Sequence, residues 1–140
     1  ICAACQLARR LKLPAIALVD RGDQACARLN LERGAQGELG FVQVEADALR
    51  AVFGAKIPPV SANKSQLGHA MGATSAIESI LAIEGMRRGV LLPTINHRPD
   101  PAIDLDCVVE GARSLPQEVV LKNAFGFGGC NACLVFRRVT

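Results

Sequence analysis

With 140 residues, half of them hydrophobic, the chain can furnish one aliphatic core or one half of a larger domain. Its net charge is only +3, and no basic run interleaves with its five Phe, which excludes nucleic acid as a partner. No apolar run approaches the roughly 20 residues that cross a bilayer, and no signal peptide is visible, so a cytoplasmic protein without membrane attachment is expected.

The chain opens at Ile1 rather than Met, and upstream residues are expected. Residues 1–13 have the periodicity of an amphipathic helix, with Leu7 and Leu11 on one side, Arg9 and Arg10 on the other, and Pro14 as its stop. Ala15 to Val19 reads as a buried strand. Asp23 follows a turn and can cap a helix over 24–33. Leu39 to Val44 reads as a second strand, and Glu45 to Gly54 as a short helix stopped by glycine. No connecting residues separate the two, although such connections normally take about 2 to 6 residues. Residues missing between Val44 and Glu45 are therefore expected.

A third strand, Ile57 to Ala62, passes through a polar turn into a long helix rich in small residues, among them Gly72, Ala73 and Ala76. Arg87 and Arg88 suit that helix's solvated C-terminal end. Residues 90–101 form a proline-punctuated extended segment, and Leu105–Val109, Glu118–Ala124 and Cys130–Arg138 read as strands, the last two a hairpin around a glycine loop. Cys2-x-x-Cys5 and Cys130-x-x-Cys133 formally make a four-thiolate pattern. A strand turns i and i+3 to opposite faces, however, so no metal site is expected, and no cofactor either.

The strand-to-helix junction carries the chemistry. Such turns present side chains at the open end of a sheet, where α/β proteins place their sites. Lys64 and His69 both lie there. On residues alone, Lys64 reads as a solvated turn residue in preference to a functional one, and His69 reads equally as a structural histidine. At a helix start, where N–H groups and the dipole disfavour added positive charge, His69 is expected to be neutral and able to donate to a developing negative charge.

Lys64-Ser-Gln-Leu-Gly68-His69, with Glu78 nine residues further on, resembles the lysine and second-histidine segment of the β-ketoacyl synthases. Pro93-Thr94-Ile95-Asn96 and Asn123-Ala-Phe125-Gly126-Phe127-Gly128-Gly129 follow in the family's order. The likeness is strong over 55–140 and weak over 1–54, treated together as a single domain.

The resemblance implies an α/β chain, the C-terminal half of a thiolase-like fold, with a layered mixed sheet and a buried central helix. It implies decarboxylative Claisen condensation of acyl and malonyl thioesters in fatty-acid or polyketide synthesis. His69, Lys64, Glu78 and Phe127 would be the catalytic set, with Lys64 and Glu78 paired. Phe125, Phe127, Gly126, Gly128 and Gly129 would shape the acyl site, with the Phe127 amide completing an oxyanion hole. The implied partners are an acyl carrier protein bearing phosphopantetheine thioesters and an N-terminal ketosynthase half or partner subunit, in a homo- or heterodimer. The family's first-histidine loop and nucleophilic cysteine have no counterpart here; Cys5 is at most a faint echo of the latter. This segment alone should be inactive. The alternative is a non-catalytic partner of the chain-length-factor type.

Overall fold

The computed structural model describes residues 15–18, 36–101, 103–126 and 130–139. The expected helices over 1–13 and 24–33, and residues 127–129 of the glycine loop, lie outside the described residues. In chain order the elements are β1 (Ala15–Leu18), α1 (Gln36–Phe53), β2 (Val60–Ser61), α2 (Lys64–Leu67), a 3-10 turn (Met71–Ala73), α3 (Thr74–Arg88), β3 (Val90–Leu91), β4 (Arg113–Ser114), β5 (Val119–Gly126) and β6 (Cys130–Arg137).

The main sheet runs β2-β1-β5-β6. β1 is parallel to β2 and to β5, whereas β5 and β6 pair antiparallel along their whole lengths, from Val119 opposite Arg137 to Gly126 opposite Cys130. The mixed sheet and its terminal hairpin are as expected. β3 and β4 form a separate antiparallel pair that the sequence reading does not contain.

Alternation along β5 sets the layers. Val120 packs with Ala82 and Met86 of α3, Leu91 and Val108, while its neighbour Leu121 packs with Val52 of α1. Successive strand residues point to opposite faces, so α1 and α3 cover opposite sides of the sheet. Val60, level with Leu121 across Ala17, packs on Leu49 and so joins the α1 face.

Three expectations need correction. Residues 39–44 are helical, continuous with 45–53 in α1. A helix started over 45–53 extends upstream at little cost, whereas a strand would have to end without a connector. Leu105–Val109 is not a strand. Only Cys107 bridges to Val60, through Val60 N–H to the Asp106 carbonyl (2.8 Å) and Val108 N–H to the Val60 carbonyl (3.0 Å). The long helix expected after the polar turn that follows Ala62, with His69 in its first turn, is broken. Gly68 turns left-handed (φ 74°) after α2, and Met71 (φ 49°) opens the 3-10 turn.

α3 buries a stripe four residues apart, Thr74, Glu78, Ala82 and Met86. Ile77, Ile80 and Ile83 on its other side remain exposed among the described residues. Gly89 caps the helix in the left-handed region (φ 63°), giving its N–H to the last carbonyls, and Arg87 and Arg88 occupy the last turn as expected. At Gly85 a Cβ would stand 2.7 Å from the Val90 carbonyl oxygen, so the turn from α3 into β3 admits no side chain there.

Candidate active site

Register brings the chemistry to one sheet edge. Leu18 of β1 is level with Ser61 on one side and Lys122 on the other. Since the three strands are parallel, β2 and β5 leave the sheet in the same direction, toward Lys64 and toward Phe125. This is the carboxyl edge at which open α/β sheets bind ligands.

The turn after β2 is clamped by the segment 92–95. Ser61 Oγ donates to the Leu92 carbonyl (2.5 Å), Ala62 N–H to Thr94 Oγ1 (2.9 Å) and Ile95 N–H to Ser65 Oγ (3.0 Å). Thr94 is buried and its own N–H reaches the Val108 carbonyl (2.6 Å). The segment 92–95 therefore holds the turn that carries Lys64.

Lys64 and Glu78 pair as the resemblance implies, Nζ to Oε1 at 3.1 Å, with both side chains buried. The sequence reading did not include a third member. Lys122 Nζ lies 3.0 Å from Glu78 Oε2 and is 2 % exposed. Lys122 also donates to Ser75 Oγ and to the Asn123 carbonyl, each at 3.2 Å. Its signal was present: a lysine within Val119-Val-Leu-Lys122, two residues beyond the inward-facing Val120, falls on the α3 face. Burial pulls the Lys64 pKa below the ordinary lysine value; Glu78 opposes that and the Lys122 charge reinforces it.

His69 is exposed in the link between α2 and the 3-10 turn, not in the first turn of a long helix as expected. Its Nδ1 accepts the Met71 N–H (2.9 Å) and lies 2.7 Å from Thr74 Oγ1. A proton on Nδ1 would face the Met71 N–H, donor against donor. The neutral ring therefore carries its proton on Nε2 and accepts the Thr74 hydroxyl at Nδ1. Thr74 begins α3, Ser75 touches Lys122, and Glu78 is one turn on, so the first turn of α3 ties the imidazole to the charged triad.

Phe125 lies near the end of β5 with 44 % of its surface exposed, and Gly126 is that strand's last residue. Phe127, Gly128 and Gly129 are outside the described residues. Cys133 lies half-buried on β6, and the Cys2 and Cys5 half of the four-thiolate pattern is outside the described residues.

The α/β sheet thus carries a buried lysine–glutamate pair and a hydrogen-bonded imidazole near its carboxyl edge. Residues 42–98 match the family "Beta-ketoacyl synthase, C-terminal domain". Nodulation protein E of Rhizobium sp. (strain N33) is 42 % identical over 100 residues, which are 69 % of this chain and 25 % of that protein. The 3-oxoacyl-[acyl-carrier-protein] synthase 2 of Coxiella burnetii is 41 % identical over 99 residues, 69 % of this chain and 24 % of that protein. Among solved structures, a type II polyketide synthase acyl-carrier protein in complex with its ketosynthase superposes with a TM-score of 0.70 at 29 % identity, covering 91 % of this chain and 28 % of that one. The chain is similar to the C-terminal part of the β-ketoacyl synthases, and it spans about a quarter of the length of the curated relatives it matches.

Proposed function

We propose that this chain is the C-terminal portion of a β-ketoacyl synthase that joins acyl and malonyl thioesters, with the nucleophilic cysteine supplied outside it. The observation that carries the reading is the hydrogen bond from the Met71 N–H to His69 Nδ1 (2.9 Å), which favours a neutral ring with its proton on Nε2. Malonyl decarboxylation breaks the bond to the carboxylate carbon, releases carbon dioxide and leaves the electron pair as an enolate. An Nε2–H donor favours that oxyanion and need not transfer its proton. The enolate carbon then attacks an acyl thioester on the cysteine, whose thiolate departs. Phe125, Gly126, Phe127, Gly128 and Gly129 would shape the acyl side, the Phe127 amide serving the tetrahedral intermediate.

The thioesters would arrive on an acyl carrier protein in the cytoplasm, as the complex of the similar polyketide ketosynthase suggests. The synthase would be a dimer. In the working enzyme a first-histidine loop would come from outside α1, in which Val44 and Glu45 are consecutive helical residues.

The test is His69→Ala in the protein that carries this chain together with its nucleophile. Malonyl decarboxylation should fall about 10²- to 10³-fold, the effect of removing one oxyanion donor, while self-acylation of the cysteine persists. Unchanged decarboxylation would overturn the reading.

A further inference from the structure

The Lys64–Glu78 pair is accounted for by the family resemblance; the second cation on the same carboxylate is not. Glu78 divides its oxygens, Oε1 to Lys64 at 3.1 Å and Oε2 to Lys122 at 3.0 Å. All three side chains are nine-tenths buried or more, so these contacts are shielded from bulk water. Lys122 directs its ammonium donors to Glu78 Oε2, Ser75 Oγ and the Asn123 carbonyl. It is thereby tied to α3 at two points and to the backbone of the strand that runs on into the glycine loop. An ammonium has three donors, and these three acceptors match them.

We propose that Lys122 is a positioning residue that holds Glu78 from the glycine-loop strand, so that Lys64 faces one oxygen of a shared carboxylate instead of having that carboxylate to itself. The inference rests on the condensing-enzyme reading for its catalytic meaning, not for its physical content. Two consequences follow. The glycine-loop strand and the Lys64 turn, 58 residues apart in sequence, are locked to each other through a single glutamate. The Lys64 ammonium also sits beside a like charge with part of its counter-charge withdrawn, which makes its proton easier to lose. Burial is the main influence lowering the Lys64 value; among the described residues the charged groups that face it are Glu78 from α3, which opposes burial, and Lys122 from β5, which adds to it. His69 adds no charge while its Nδ1 accepts the Met71 N–H.

The experiment is a titration of Lys64 by carbon-13 NMR of the lysine Cε in the full protein, assigned with Lys64→Arg and repeated in Lys122→Met and Lys122→Gln. The Met variant conserves length and removes the charge; the Gln variant keeps a donor for Ser75 and Asn123, and guards against misfolding of the first. Both should raise the Lys64 midpoint by about one pH unit, because a like charge is gone and the carboxylate is no longer shared. Malonyl decarboxylation is followed in parallel, and the pH at which the rate falls on the alkaline side should move up with that midpoint. A Lys64 midpoint that stays put or falls in both variants overturns the proposal. A midpoint that rises in a protein whose wild type shows no decarboxylation leaves the proposal standing and removes the condensing-enzyme reading instead.

Discussion

Two clusters in this molecule share an arrangement with the signs reversed. At the sheet edge one carboxylate, Glu78, bridges two lysines, and all three groups are buried. On the surface one guanidinium, Arg113 of β4, bridges two carboxylates: Asp106, through contacts of 2.8 and 3.0 Å, and Glu110. Arg113 is 27 % exposed and its partners about half exposed. In each cluster one charge is left over. What differs is the solvent, and the comparison teaches that burial, not the number of ion pairs, decides how much a cluster matters. Water can compensate the surplus on the surface, whereas the buried site has only its neighbours.

The largest expected effect is therefore at the buried bridge. Glu78→Leu leaves two ammonium groups facing each other inside the protein, and should cost about 3–5 kcal/mol of stability by denaturant unfolding, the scale for breaking a buried pair. Replacing Lys64 and Lys122 by Met in the same variant should recover most of that loss, since a well-packed apolar set can match a buried ionic one. It should also abolish any chemistry the cluster serves. A loss below about 1 kcal/mol in Glu78→Leu would mean that water reaches the cluster and that the contrast with Arg113 is false.

How far the sequence shows this cluster follows from how its members are specified. The pairing of Lys64 with Glu78, 14 positions on, was legible only through the family resemblance, since on residues alone Lys64 reads as a solvated turn residue. The β5–β6 hairpin was legible from two apolar runs around glycines, and the end of α3 from Arg88-Gly89. Lys122 was not read: alternation along β5 places it on the α3 face, but the register of β5 on β1 that brings it level with the Lys64 turn is a pairing between distant segments. The place of His69 was misread for a different reason. The small residues after Ala62 suit an unbroken helix, and only the left-handed turn at Gly68 and the conformation of Met71 interrupt it. The strand expected at 39–44 failed on context. Its apolar run fits either period, and continuity with the helix after it prevailed.

On the surface, Arg113→Ala should lower the melting temperature by no more than a few degrees, in line with exposed ion pairs. Raising salt to about 1 M, where the screening length is roughly 3 Å, should remove most of that difference and leave the cost of Glu78→Leu nearly intact. A salt-insensitive loss at Arg113 would place that cluster with the buried one.

The smallest effect is the most local. Arg113, then the Glu110 and Val109 backbone N–H groups, hold the Glu110 carboxyl at about 2, against an ordinary value of 4.5. Because the folded value is the lower one, the native state binds its proton more weakly than the unfolded chain. The contribution is fully present above pH 4.5 and disappears as pH falls through about 2. Carboxyl carbon NMR should find Glu110 still ionised at pH 3.5, and Arg113→Ala should return its midpoint most of the way to 4.5. A wild-type midpoint already near 4.5 would mean that solvent had dissolved the Arg113 contact as well as screening it. The surface bridge would then be a feature of geometry without energetic consequence, and the buried one would stand alone as the cluster that shapes this protein's chemistry.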